Sequence, residues 1–324
     1  MNTLDKIKSP VTQELKEFEK YFRGALKSQV PLLDIVTRFI LRRKGKQIRP
    51  LFVLLTSKML SDVNDGTYTA AALIELLHTA TLVHDDVVDD SYERRGFFSL
   101  NALWKSKLAV LTGDFLLAKG LLLAIEHKRY DLLEIVSTAV REMSEGEIFQ
   151  LQKSRKLNLT EDDYFKIIRK KTATLISACT HCGAKAVSDQ PEILNDFARF
   201  GELVGMAFQI KDDLFDYQSN GTIGKPVGND LQEKKLTLPV IYALSVAPRN
   251  EKKHILSLIR HNPKPLREIR EIISFVKHYG GTDYAESVMT RYKNHALEIL
   301  EKYEDSPAKE AMIILTEFTV TRNK

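Results

Sequence analysis

Two acidic clusters carry the most chemistry in this sequence. The first is His84-Asp85-Asp86-Val87-Val88-Asp89-Asp90, at the end of a long apolar-periodic stretch. At about 100° per residue, Asp85 and Asp89 fall on one helical face a turn apart, and His78 lies earlier on the same stripe. The second, Gln209-Ile210-Lys211-Asp212-Asp213-Leu214-Phe215-Asp216, repeats the D-D-x-x-D spacing much later in the chain. There Gln209, Asp212 and Asp216 share a face at i, i+3 and i+7. Like charges at this spacing oppose each other on a helix, so something positive should sit between them. A hard cation such as Mg²⁺ takes oxygen ligands, usually one or two carboxylates together with substrate phosphates. Two such helices on opposite walls would grip several cations, and the cations a diphosphate. One acidic cluster alone is more often a solvated helix end. Two of them inside apolar sequence, a costly place for idle charge, argue for the metal.

Basic residues recur around these clusters. Gly45-Lys46-Gln47-Ile48-Arg49-Pro50 sets two cations and exposed backbone at a helix start, where an anion is welcome. Glu93-Arg94-Arg95-Gly96 trails the first acidic cluster, and arginine forks suit phosphate oxygens. Lys170-Lys171-Thr172 opens another apolar segment. Gly224-Lys225-Pro226-Val227-Gly228-Asn229-Asp230 follows the second cluster, with Lys234-Lys235 beyond. Each patch alone reads as solvated surface. Together they supply cations enough for two diphosphates.

The elements that must position these groups are helices. Apolar residues recur at helical spacing almost throughout, as in Leu32, Ile35, Val36, Phe39 and Ile40, or Leu73, Leu76, Leu77, Ala80 and Val83. Breaks fall near 44–50, 61–66, 91–97, 153–160, 188–191, 219–227, 247–250 and 262–265. Several segments are apolar on more than one side, as buried bundle helices are. Thr160-Glu161-Asp162-Asp163 reads as a helix start with a capping Thr and an acidic first turn. No repeat or linker composition appears, so residues 1–324 read as a single all-α domain.

Composition excludes several classes. With 44% hydrophobic and 28% charged residues, the chain has the make-up of a globular protein with a sizeable core. The net charge of +5 is small beside 48 basic and 43 acidic side chains, and no recognition-helix or zinc-finger pattern occurs, so nucleic acid is not an expected partner. Cys179 and Cys182 form one C-x-x-C around His181 without a second pair, which reads as two reduced thiols packed in a helix. Residues 1–10 lack the apolar run of a signal peptide, and runs such as 121–125 fall short of the ~18 residues of a membrane span. The expectation is a cytoplasmic protein with no transmembrane segment.

From about Lys44 to Pro239 the sequence resembles the trans-type polyprenyl diphosphate synthases. The G-K-x-x-R-P element, the first aspartate-rich motif with its Arg-Arg-Gly, the Lys-Thr pair, the Gln before the second aspartate-rich motif and the G-K-x-x-G-x-D loop occur in family order. The resemblance implies an all-helical bundle of the isoprenoid-synthase type around a deep central cavity, a homodimer, and several Mg²⁺ ions. It implies isopentenyl diphosphate and an allylic diphosphate, farnesyl or geranylgeranyl, as substrates. Asp85, Asp89 and Asp212 would hold the allylic diphosphate through Mg²⁺. Asp86, Asp213 and Asp216 would act through water or as secondary ligands. Arg94, Lys171, Lys225 and Lys235 would contact its phosphates, and isopentenyl diphosphate would sit among Lys46, Arg49, His78 and Arg95. Thr172 and Gln209 would face the reacting carbons.

The growing chain would run back along the helix that carries Asp85, past Ala80 and Thr81, then Leu77, then Leu73 and Ile74. Short-chain members of the family tend to place a bulky aromatic one turn before the motif. Small residues stand there here, so the expected product is medium or long, about six to eight isoprene units. Against that, Ala80 and Thr81 would serve close helix packing, and Phe115 would close the pocket. A short-chain synthase therefore stays an alternative. A terpene cyclase is disfavoured by the intact second motif, and a silent partner subunit by the presence of both aspartate sets.

Overall fold

A computed structural model describes residues 2–42, 46–88, 93–94, 97–98, 100–217, 228–261 and 264–321. The chain runs through α1 (Thr3–Lys8), a 3₁₀ turn (Ser9–Val11), α2 (Thr12–Ala25), α3 (Pro31–Arg42), α4 (Ile48–Leu60), α5 (Asp65–Val88), α6 (Leu100–Glu126), α7 (Tyr130–Lys156) and α8 (Glu161–Ile168). A π-helical turn (Arg169–Ala173) follows, then α9 (Thr174–Lys185), α10 (Pro191–Phe215), α11 (Asn229–Gln232), α12 (Leu238–Val246), α13 (Arg249–Arg260), α14 (Leu266–His278), α15 (Gly281–Leu300) and α16 (Pro307–Thr321). The only strands among the described residues are β1 (Glu93–Arg94) and β2 (Phe97–Phe98), a two-residue antiparallel pair. The fold is all-α.

The expected breaks fall at or beside helix ends, but the ends at 26–30, 127–129, 279–280 and 301–306 were not among them, and α7 runs on to Lys156, into the break expected from 153. Helix α4 starts at Ile48, ahead of Pro50, because first-turn amides have no helical partner for a proline to remove. Thr160 caps α8 as expected. Its Oγ1 accepts the Asp163 amide at 3.2 Å, while Asp163 Oδ2 accepts the Thr160 amide at 3.2 Å. Helix α10 ends at Phe215, so Asp216 sits in the following turn and not on the helical face expected for it.

The chain divides into two compact units. The first comprises 1–140, 178–198 and 303–314; the second comprises 141–177, 199–302 and 315–324. In the first, α5 packs against α2, α4 and α6. Residues Ala70, Ala71, Ala72, Leu73, Ile74 and Leu76 are all fully buried, so α5 is enclosed on every side along that stretch. Cys179 and Cys182 are buried free thiols, and burial pushes Cys179 up to about 12, which leaves no reactive thiolate. Residues Asn101–Glu126 of α6 are long and apolar enough to cross a membrane by length and composition, and 39% of their most apolar 18-residue window is buried. The sequence showed no unbroken apolar run of that length. The helix qualifies because the apolar stripe packed on α5 is joined by a second, exposed stripe of Leu103, Val110, Leu111, Leu121, Leu122 and Ile125.

In the second unit, α12 packs on α8, α14 and α15, closing a core of Ile210, Leu214, Leu238, Ile259, Ile272 and Val288. The π-helical turn is held from two sides by glycines. A Cβ on Gly146 of α7 would stand 2.8 Å from Lys170 Cβ and 3.1 Å from the Lys171 nitrogen. One on Gly205 of α10 would stand 2.4 Å from the Ala173 Cα. The wider π turn brings its backbone against both helices, and only glycine leaves room for it.

Gly205→Ala should therefore force backbone apart and cost about 1–3 kcal/mol. Gly24→Ala in α2, where a Cβ meets nothing within 4 Å, should leave stability unchanged or raise it by up to about 1 kcal/mol. Thermal melts of the two variants check the contrast. Equal melting temperatures would show that the π turn is not clamped.

Candidate functional site

Residues of α7, α8, the π turn, α10 and the α11–α12 segment enclose a cavity of about 300 Å³ within the second unit. Its lining includes Lys171, Thr172, Gln209, Asp212, Asp213, Asp216 and Lys235, seven of the residues singled out in the sequence. The π turn sets the first two. An extra residue in the turn rotates Lys171 and Thr172 off the regular α-helical register and toward α7 and α10.

A chain of hydrogen bonds links these elements. Thr172 Oγ1 donates to Gln209 Oε1 at 2.7 Å, and Gln209 Nε2 donates to Asp213 Oδ1 at 2.8 Å. Asp213 Oδ2 accepts the Tyr164 hydroxyl at 2.7 Å. Asp213 is buried, and burial raises its carboxyl to about 7. Hydrogen bonds from Tyr164 and Gln209 pull it down, while the charges of Asp230 and Asp212 push it up. Asp216 Oδ2 accepts the Asp230 amide at 2.5 Å, which ties the end of α10 to the start of α11.

The cations of the cavity are already engaged. Lys171 Nζ lies 2.5 Å from Glu147 and donates to Gln150 Oε1 at 3.0 Å. Lys235 Nζ lies 2.5 Å from Glu233. Burial acts to lower the Lys235 ammonium, but Glu233, Asp230 and Glu147 outweigh it and raise it. Lys153, on the same cavity wall, holds Asp163 at 2.7 Å and keeps that carboxyl below its ordinary value. An arriving polyanion would exchange these carboxylate partners for its own oxygens.

In the first unit, Asp85 and Asp86 stand in the last turn of α5, with Asp85 exposed and Asp86 buried. The backbone carbonyl of Asp86 accepts Asn101 Nδ2 at 3.3 Å. Arg49, in the first turn of α4, and Glu75, on α5, both act on the Cys179 thiol from nearby. His78 is buried one turn beyond Glu75, and Lys46 is exposed just ahead of α4. Asp89, Arg95 and Lys225 lie outside the described residues, and Arg94 enters only as backbone of β1. The sequence reading missed Tyr164, Gln150 and Lys153. Tyr164 and Gln150 carry an ordinary helical spacing signal and Lys153 stands at the edge of an expected break; only the packing of α7 and α8 against the π turn points them inward.

Comparison with known proteins follows the same lines. The chain matches the polyprenyl synthetase family over residues 30–276. It is 37% identical over 320 residues to an all-trans-nonaprenyl-diphosphate synthase (geranyl-diphosphate specific) of Rhodobacter capsulatus, covering 98% of this chain and 97% of the relative. It is 36% identical over 284 residues to a short chain isoprenyl diphosphate synthase of Methanothermobacter thermautotrophicus, covering 86% of each. Among solved structures, a decaprenyl diphosphate synthase from Rhodobacter capsulatus superposes with a TM-score of 0.92 at 31% identity, covering 98% of both chains.

The raised Asp213 carboxyl makes a pH prediction. The folded value, about 7, lies above the unfolded one. Its contribution to stability is thus full below the unfolded value and is lost as pH rises from about 4 to 7, by up to about 1.4 kcal/mol per pH unit. His181, lowered by burial and then by Lys185, acts in the opposite sense. The difference between wild type and Asp213→Asn isolates the carboxyl. Melting temperatures in EDTA should show the variant gaining on wild type as pH rises through this window. A constant difference would place Asp213 outside the buried network.

Proposed function

The chain belongs to the polyprenyl synthetase family and is a prenyltransferase, and we propose that it condenses isopentenyl diphosphate head-to-tail with an allylic diphosphate to an all-trans polyprenyl diphosphate. The observation that carries this reading is the cavity in which Lys171, Lys235 and Asp212 line the wall beside the Thr172–Gln209 pair. We treat residues 1–324 as one functional domain, since the relatives match nearly the whole chain.

The donor set fits Mg²⁺. The acidic groups of the cavity are Asp212, Asp213, Asp216 and Asp230, with neither histidine nor thiol in the lining, and hard oxygen donors suit Mg²⁺. Among the described residues no three metal-binding side chains converge on one point. One or two carboxylates per ion, completed by phosphate and water, is the usual arrangement for this cation. In this reading Asp85, Asp89 and Asp212 hold the ions directly, and Asp86, Asp213 and Asp216 act through water or from behind. When bound, Mg²⁺ neutralises charge on the departing diphosphate.

The chain's own groups do the rest. Lys171 and Lys235 leave their present partners for the allylic phosphates, joined there by Arg94 and Lys225, and together they draw charge from the breaking C–O bond. Lys46, Arg49, His78 and Arg95 bind isopentenyl diphosphate. The oxygens of Thr172 and Gln209 face the positive allylic carbon. The isopentenyl double bond attacks that carbon, the new C–C bond forms, and the released diphosphate takes the proton. Water must be kept from the cation, which it would quench.

Relatives range from a short-chain enzyme to nonaprenyl and decaprenyl synthases. The expectation of about six to eight units falls short of the longer names, so we move the proposed product toward about nine to ten. Leu73, Ile74, Leu77 and Ala80 are packed to near-zero exposure, Leu73 and Leu77 against Gly120 of α6, so a long product on this side would need these side chains to move apart, and the longer length rests on the relatives' names. The name of the Rhodobacter relative specifies geranyl diphosphate, so that starter joins farnesyl and geranylgeranyl diphosphate. A homodimer is supported by the exposed apolar stripe of α6, which needs a cover, and we place the protein in the cytoplasm.

Purified protein with each allylic starter, labelled isopentenyl diphosphate and Mg²⁺ should yield products beyond about twenty carbons. EDTA should abolish them, and Asp85→Ala should slow them by at least about a hundredfold. No elongation from any starter would leave only the silent-subunit reading. Leu122→Glu should turn a sedimenting dimer into monomer; an unchanged dimer would move the interface off α6.

A further inference from the structure

We propose that Tyr164 is a positioning residue for the condensation, acting through Asp213 on the amide of Gln209. The inference rests on the assignment of Gln209 to the reacting carbons made above. Tyr164 is 3% exposed, and its hydroxyl has one carboxylate oxygen, Asp213 Oδ2, at 2.7 Å. The other carboxylate oxygen takes Nε2 of Gln209 at 2.8 Å. In its ionised form a carboxylate flanked in this way accepts at both oxygens, so the amide then presents its nitrogen to it. The amide oxygen is thereby turned the other way, where it accepts Thr172 Oγ1 at 2.7 Å.

The consequence is electrostatic. Tyr164, Thr172, Gln209 and Asp213 all line the cavity. With the amide fixed as it stands, the wall at Thr172 and Gln209 presents oxygen lone pairs, which suit a carbon gaining positive charge. With the amide reversed, two N–H bonds would point at that carbon. Remove the tyrosine hydroxyl and one oxygen of a buried carboxylate has lost its donor. The carboxylate is then free to turn, and the amide that leans on it loses its reason to face one way. Tyr164 touches no reacting atom in this scheme.

Tyr164→Phe keeps the ring and removes the link. With farnesyl diphosphate, isopentenyl diphosphate and saturating Mg²⁺, kcat should fall about tenfold to a hundredfold, as for a lost hydrogen bond to a charged group. KM for isopentenyl diphosphate should change less than about twofold, because its binding groups are untouched. In a Gln209→Ala background the same change should cost less than about threefold more, since the tyrosine acts through that amide. Asp213→Ala, which cuts the link from the other side, should show the same coupling should the phenylalanine variant fold poorly.

A second readout needs neither metal nor turnover. The Gln209 side-chain N–H signals, identified by their loss in Gln209→Ala, should exchange slowly with solvent in wild type and measurably faster in Tyr164→Phe. An unchanged exchange rate with kcat within about twofold of wild type overturns the proposal. Full additivity with Gln209→Ala also overturns it. If wild type fails to elongate any starter, the assignment of Gln209 to the chemistry falls, and the exchange rates still decide whether Tyr164 holds the amide.

Discussion

A carboxylate buried between apolar helices is tolerated only if donors meet its oxygens, and the second unit is arranged around that constraint at Asp213. Its two oxygens take Tyr164 from α8 and Gln209 from its own helix. Gln209 in turn meets Thr172, which reaches it because the π turn replaces a regular α-helical one. The turn can sit there because Gly146 and Gly205 leave no Cβ in its path. One desolvated charge thus fixes the facing of three elements. Loss of any donor would leave the charge partly unsatisfied, at a cost of roughly 1–3 kcal/mol, a large share of an ordinary domain's margin.

Much of this was legible in the residues. The long helices show in the recurrence of apolar positions, and the α8 start shows in Thr160 and Asp163, whose reciprocal bonds the structure contains. The acidic clusters and the Lys-Thr pair stand out by type and spacing, and in the second unit seven chosen residues line one cavity. What stayed hidden depends on tertiary packing. A π turn has no composition of its own; Arg169–Ala173 reads as helix, and only the close approach of Gly146 and Gly205 makes the wider turn the better fit. Asp216 was placed on the α10 face by periodicity. The helix stops at Phe215, and the Asp216 carboxylate turns to the Asp230 amide instead. Tyr164 was not singled out, because nothing in its spacing sets it apart from other positions of an amphipathic helix. Its hydroxyl became informative once the buried acceptor was known.

The cations show the complementary design. A cavity that is to take a polyanion, as proposed, must carry positive charge beforehand, and that charge needs company. Lys171 rests on Glu147 and Gln150, and Lys235 on Glu233. These pairs are partly exposed, so each is individually weak and readily exchanged. Buried ion pairs in the same positions would be harder to break and would hold the lysines back from an arriving phosphate. The exposure of the pairs is therefore part of what keeps the lysines available.

The two aspartate motifs share a division between neighbours. In α5, Asp85 is exposed while Asp86 is buried; in α10, Asp212 lines the cavity half-buried while Asp213 is buried. Adjacent residues on a helix diverge by about 100°, so one of a pair can turn to solvent while the next turns into the protein. If both carboxylates of a pair faced the ions, the helix end would carry two unsatisfied charges whenever the ions were away. With Asp213 turned inward and already given its donors, the proposed reading leaves the outward Asp212 to meet the cation. The inward one can then serve as a fixed acceptor that orients its neighbours. That is the role proposed for Asp213 toward Gln209, and on the same reading it gives the second aspartate of the α10 pair a task apart from binding an ion.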